Sequence, residues 1–357
     1  MSKAAELAAL IGSQSALSHR NLIINGAMQV AQRGTSATGK TVSGYFLCDR
    51  WQTLISAAGT WSLSQSTTVP SGQGFAYSFK YDCTTADASL ASSDLVIHRQ
   101  NLEGQDLQLL GYGASGAKTV TLSFWVRSNK TGTYVCELRK YDDTRHNGGT
   151  YTISSADTWE HKTVSFSGDT ASALVNSNAG GMKVHFWLAA GSSYTSGTLP
   201  SSWASNTTAN QAAGQTVNLA DSTDNEWYIT GVQLELGEQA TPFEHRSFAD
   251  ELARCERYYQ EYECSGQEFI YFEGNTSNHK FWHSRIYRKM RAAPTVSTSG
   301  TFSGSASGGT INSISTSSIG PDIVAFRVAF SANIGDSFSI RHTDTFDGDK
   351  ILYDAEL

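Results

Sequence analysis

Two tryptophans fall on the opposite side of their strands from the apolar residues. In 119–127, Val120, Leu122, Phe124 and Val126 share one face at a period of two, so Trp125 points the other way. Residues 182–188 repeat the pattern, with Val184, Phe186 and Leu188 inward and His185 and Trp187 outward. An outward indole is a platform for the C–H face of a sugar, and Arg139, Tyr141, Asp142 and Asp143 bring groups that hydrogen-bond hydroxyls. The same pattern arises when such rings pack beneath a covering loop or against a neighbouring subunit. Both readings stand at this level, while Trp203, Trp227 and Trp282 read as core or interface.

Other constellations carry less. Asp142-Asp143 and Asp221-Ser222-Thr223-Asp224-Asn225-Glu226 offer oxygen donors of the kind Ca²⁺ takes, but without EF-hand spacing they read as solvated turns. His279 and His283, with Glu268 and Glu273 nearby, would share a face four residues apart on a helix. Their segment reads as strand, which sets them about 13 Å apart, too far for one metal ion. The five cysteines (Cys48, Cys83, Cys136, Cys255, Cys264) have neither a disulfide framework nor zinc-site spacing and read as buried thiols. There is no Gly-x-Ser-x-Gly elbow, His-Glu-x-x-His, P-loop or dinucleotide fingerprint. No cofactor is expected, and catalysis is not.

The elements that must position these residues are mostly strands. Residues 3–17 read as a short helix with Leu7, Leu10 and Ile11 on one stripe, suited to attachment or self-association or to capping its own domain. Residues 21–26 read as a strand stopped by Asn25-Gly26. Short strands then continue to about residue 244, including 159–166 and 227–236, with turns at Asn147-Gly148-Gly149 and Asn178-Ala179-Gly180-Gly181. Ser247 is a fit N-cap, with Asp250 three residues on, for a helix to about residue 262 whose stripe is Phe248, Leu252, Cys255 and Tyr259. Residues 266–357 return to β, with a Ser-, Gly- and Thr-rich stretch over 297–318.

Composition agrees. Only 17% of the 357 residues are charged, against roughly 25% in an average soluble domain, and aromatics reach 11%. That excludes intrinsic disorder and fits a mainly β protein. The formal net charge of −7 argues against sequence-independent nucleic-acid binding, which gains affinity from excess Lys and Arg. No apolar run approaches the roughly 18 residues of a membrane span, so no membrane insertion is expected. Glu6 interrupts the short apolar stretch at the start, so the layout is not that of a signal peptide.

Several segments carry a resemblance. Asn21-Leu22-Ile23-Ile24-Asn25-Gly26-Ala27-Met28-Gln29-Val30-Ala31-Gln32-Arg33-Gly34, followed by Cys48-Asp49-Arg50-Trp51, resembles the opening of a family of bacteriophage virion proteins described as tail fibres or receptor-binding structural proteins. Thr230-Gly231-Val232-Gln233-Leu234-Glu235-Leu236-Gly237 with Thr241-Pro242-Phe243-Glu244-His245-Arg246-Ser247 is similar to the segment closing that family's central domain. Arg254-Cys255-Glu256-Arg257-Tyr258-Tyr259 and the terminal Tyr353-Asp354-Ala355-Glu356-Leu357 also look like phage fibre chains. The region 45–244 resembles jelly-roll carbohydrate-binding modules. The resemblance implies an attachment segment over 1–44, a jelly-roll β-sandwich over 45–244, a connecting helix over 245–265 and a small β-sandwich domain over 266–357. It further implies a trimeric tail fibre or fibre-like appendage, located in the virion and partnered with other virion proteins, with itself and with a host-surface glycan. The alternatives are a capsid decoration or head-fibre protein that binds the particle itself, and a polysaccharide depolymerase.

Overall fold

The computed structural model describes residues 19–263, 270–271, 279–285, 288–299, 304–305, 311–330, 339–340 and 350–357. The expected helix over 3–17, with Leu7, Leu10 and Ile11, lies outside them, as do Cys264, Glu268 and Glu273. The chain divides into two compact units, one running to Glu251 and including Leu357, the other Leu252–Glu356.

The first unit is an antiparallel jelly-roll sandwich. Its strands are β1 (Ser36–Lys40), β2 (Trp51–Ser56), β3 (Thr60–Ser66), β4 (Ser78–Thr85), β5 (Leu95–Glu103) and β6 (Val120–Ser128). They continue as β7 (Gly132–Lys140), β8 (Arg145–Ile153), β9 (Glu160–Phe166), β10 (Gly180–Ala190), β11 (Ala204–Ser205) and β12 (Glu226–Leu236). The first sheet has the order β1-β3-β4-β12-β6-β9 and the second β11-β8-β7-β10-β5-β2. Each central strand sends alternate residues into the space between the sheets, as its period of two requires. Val120, Leu122, Phe124 and Val126 meet Tyr134, Cys136 and Leu138 of β7 and Val184, Phe186 and Leu188 of β10 in one apolar core. Trp51, Trp61, Tyr81, Phe124, Phe186 and Trp227 are fully buried there. Trp51 stacks on His98 at 4.5 Å, and Tyr81 Oη lies 3.1 Å from His98 Nδ1.

The segment expected as a separate attachment piece belongs, where described, to this sandwich: Ile23, Met28 and Val30 are buried, Ile23 and Met28 within the core. Nor is 21–26 a strand. The amides of Asn21, Ile23, Ile24 and Asn25 go to side-chain oxygens, which compete with ladder pairing. Asn21 Oδ1 accepts from the amides of Ile23 and Leu234, and Asn21 Nδ2 donates to Val232 O. Asn25, in the left-handed region at φ 58°, donates through Nδ2 to Val30 O and Asp49 O, and its own amide donates to Glu251 Oε1. Arg246 closes the knot, donating to the carbonyls of Asn21 and Ile23 and pairing with Glu244 and Glu251. The family-like segments 21–25, 230–236 and 241–247 therefore meet in one buried polar clamp.

Two further expectations change. Gly148 and Gly149 form no turn but sit inside β8, because a side chain there would collide with Leu199 at 2.3 Å and Val164 at 2.4 Å. Gly180 and Gly181 likewise open β10. The helix is shorter than expected, Phe248–Cys255, and Phe248 is exposed rather than part of a buried stripe. Ser247 does cap it, accepting from the Asp250 amide and donating to Asp250 Oδ2. The tyrosine-rich residues that follow, Tyr259–Glu263, form a strand instead, as their aromatic content favours once a partner strand is present.

The second unit is antiparallel β. Tyr259–Glu263 and Thr295–Ser299 flank Lys350–Asp354, Ile270–Tyr271 and Gly304–Ser305 flank Ser339–Ile340, and His279–Arg285 and Ile311–Ile319 flank Ile323–Phe330. Met290, Val324, Ile351, Tyr353 and Ala355 form a small buried cluster. Among the described residues no helix is long and apolar enough to cross a membrane.

Candidate functional site

The residues expected to bind sugar lie on two opposite outer faces. Trp125 stands on the outside of the first sheet, whereas Trp187 and Arg139 stand on the outside of the second. Trp187 is not an open platform. It is fully buried, packed with Ile97, Val135 and Ala212 under the segment 191–216, its ring 5.2 Å from that of Tyr194. Period two tells which way a ring points, and a loop covering that face decides whether it stays open.

Beneath the same segment lies a polar cluster. Glu137, with no exposure, receives both Arg139 Nε at 3.1 Å and Arg139 Nη2 at 2.7 Å. His146 Nδ1 is 2.7 Å from its Oε1, and His185 Nδ1 3.1 Å from its Oε2. Burial works to raise the Glu137 carboxyl, but Arg139 and the two imidazoles hold it well below the usual carboxylate range. Burial pushes His185 down to about 3, so it is neutral at pH 7. Arg139 is thus committed to an internal ion pair. Tyr141 lies against Gly180, where a Cβ would come within 2.2 Å of the ring, with Lys183 Nζ 5.0 Å from the ring centroid. Asp142 accepts from the Thr144 amide and hydroxyl, and Asp143 takes Lys183. Among the described residues no group of three or more His, Cys, Asp or Glu side chains is arranged to hold a metal ion.

Trp125 has different surroundings. It is half-buried and borders a cavity of about 560 Å³, within the roughly 300–1,000 Å³ range of ligand pockets. Its cross-strand partners are His161 on β9 and Thr230 on β12. The Trp125 and His161 rings lie 5.1 Å apart at 52°, and burial lowers the His161 pKa. On the β12 side the ladder slips between Thr230 and Gln233, and Gly231 takes φ +62°. Phe75 lies over that bulge, 2.5 Å from where a Cβ on residue 231 would be, so only glycine suits both the backbone and the ring. Phe243 meets Phe75 edge-on at 5.0 Å, and His245 lies 5.1 Å from Phe75.

The arm 240–245 that carries Phe243 and His245 is pinned from below. Glu235, 2% exposed, accepts from the Thr241 amide at 2.8 Å, the Thr241 hydroxyl at 2.6 Å and Gln233 Nε2 at 2.8 Å. Gln233 Oε1 accepts from the Glu244 amide. The carboxylate is thereby spent on the arm and faces no ligand. Ser123, Trp125 Nε1, His161, Gln73 and the His245 ring all line the cavity, and none of these side chains makes a hydrogen bond to the protein among the described residues. The site therefore presents aromatic faces together with donors and acceptors left without partners. Of its members only Trp125 was legible as a binding residue. Phe75, His161, Phe243 and His245 are brought to it by strand register and by the arm, which leave no local spacing signal.

No protein-family model matches the chain, and no curated protein matches it. Solved structures do resemble it over about three fifths of its length. A putative sugar binding protein from Bacteroides thetaiotaomicron matches with a TM-score of 0.34 and 13% identity, over 61% of this chain and 100% of that one. The enzymatically active domain of bacteriophage CBA120 tailspike protein 4 matches with a TM-score of 0.31 and 12% identity, over 61% of this chain. The match spans only 21% of that tailspike chain. A family 11 carbohydrate-binding module of a Clostridium thermocellum cellulase matches with a TM-score of 0.29 and 10% identity, over 57% of this chain and 98% of that one.

Proposed function

We propose that this chain recognises a carbohydrate in the Trp125 cavity. The observation that carries the reading is the coincidence of an accessible indole with four further polar side chains, Ser123, His161, Gln73 and His245, that have no hydrogen-bond partner among the described residues around one cavity. A pyranose offers a C–H face to an aromatic ring and hydroxyls that both donate and accept, which is the complement of that lining. No Asp or Glu lines the cavity, whereas glycoside hydrolysis ordinarily needs two carboxylates across the scissile bond, so the proposed role is binding without cleavage.

The proposed setting is a bacteriophage particle. The chain serves there as a trimeric fibre or fibre-like appendage, and the sugar belongs to the host surface. What supports this is the sequence resemblance of 21–34, 48–51, 230–237 and 241–247, together with the low charge expected of surfaces that face other subunits.

Isothermal titration against glycans selected on an array tests the binding role. Trp125→Ala is expected to weaken binding at least about tenfold with an unchanged circular dichroism spectrum. Full affinity in that variant would place recognition elsewhere. Electron microscopy of the particle tests the setting through the position and copy number of the chain.

A further inference from the structure

The two sides of the cavity differ in chemistry. On the β9 side Trp125 and His161 form a stacking platform with polar edges. On the β12 side Phe75 and Phe243 make an apolar wall, next to the polar edges of His245 and Gln73. A plain hexose filling this space would press hydroxyls against phenyl rings and lose their water without replacement, which costs free energy. A methyl group would gain from the same contact, and an amide beside it would meet the His245 and Gln73 groups.

Charge narrows the choice further. None of the lining residues is Asp, Glu, Lys or Arg. An acidic sugar would desolvate its carboxylate here with no cation in the lining to receive it, while the Glu235 carboxylate bonded to the lining residue Thr241 carries the same sign. Resting on the carbohydrate-binding reading above, we propose that the cavity selects a neutral N-acetylated hexosamine: its ring stacks on Trp125 and its acetamide methyl contacts Phe75 and Phe243.

The test is titration of the whole chain at pH 7.5 with four probes: an N-acetylhexosamine oligosaccharide, its de-N-acetylated form, the matching plain hexose oligomer and N-acetylneuraminic acid. The N-acetylated neutral sugar is expected to bind roughly tenfold or more tightly than the plain hexose, and the sialic acid more weakly despite its acetamide. Phe243→Ala is expected to bring the ratio of the N-acetylhexosamine to the hexose affinity close to one. Trp125-dependent binding that is equal for hexose and N-acetylhexosamine, or strongest for N-acetylneuraminic acid, overturns this proposal and leaves the carbohydrate reading intact. Absence of Trp125-dependent binding for any sugar on the array overturns both.

Discussion

Trp125 and His161 are cross-strand partners whose rings lie 5.1 Å apart on the solvent side of the first sheet. The imidazole buttresses the indole, which therefore need not be ordered by its ligand. That lowers the entropic cost of binding.

Removing the buttress has a defined effect. His161→Ala is expected to weaken glycan binding several-fold while leaving the thermal midpoint nearly unchanged, because His161 is exposed on an edge strand. Partial desolvation also lowers its pKa below the ordinary 6.5. An NMR titration is expected to place its midpoint below 6.5, with affinity level from pH 8 down to 6.5. A midpoint above 6.5 would contradict this packing.

The arm is a second control point. Thr241→Val keeps the shape but removes the hydroxyl that Glu235 accepts, leaving part of a buried carboxylate unsatisfied at a cost of about 1–3 kcal/mol. Affinity should fall along with stability. If stability fell while sugar affinity stayed constant, the arm would not position the binding wall.

The covered face of the second sheet predicts a purely structural phenotype. Glu137→Ala removes the two-point partner of the largely buried Arg139, leaving it Asp143 at 3.5 Å, and is expected to cost about 3 kcal/mol in urea unfolding. Glycan affinity of the folded fraction should be unchanged, since Trp125 stands on the opposite face of the sandwich.

Acid lability follows from the buried imidazoles. Burial pushes His98 and His185 down to about 3 in the folded state, against about 6.5 when unfolded. Between these values the unfolded chain binds more protons, so their contribution is complete above pH 6.5 and is lost as pH falls toward 3. Glu137, whose pKa is depressed, adds a further loss below its unfolded value near 4.5. Urea midpoints are expected to be level from pH 8 to 7 and to drop between pH 6 and 4. Equal midpoints at pH 7 and 4.5 would show that these groups are not buried as described.

The clamp gives the last prediction. Arg246→Lys retains the charge but cannot reach the carbonyls of Asn21 and Ile23 and the carboxylates of Glu244 and Glu251 together. Limited proteolysis within 19–30 is expected to accelerate. Wild-type cleavage rates would mean that the clamp does not hold this segment.

Much of the sandwich was legible in the sequence. The alternation Val120, Leu122, Phe124, Val126 points inward as read, and so does Val184, Phe186, Leu188. Failures came where something distant overrides a local signal. Trp187 is outward but covered. Gly148 and Gly149 read as a turn because nothing local reveals that Leu199 and Val164 fill the space of their missing side chains. Asn21 and Asn25 draw the backbone out of strand geometry through bonds to residues near 50 and 232. The binding candidates were mixed for the same reason: period two says which side of its own sheet a residue takes, but not that β6 and β10 belong to different sheets.

The clamp around Arg246 also sets how the sandwich carries tension. Residues 21–25 enter the unit where 244–251 leave it, and the two stretches are cross-linked side by side. A pull on the chain flanking either stretch would load those bonds together. Asn21 also ties this point to Val232 and Leu234 of β12, and Glu244 ties it to Gln233 beneath the arm, so the anchor of the chain and the wall of the Trp125 cavity share one set of bonds.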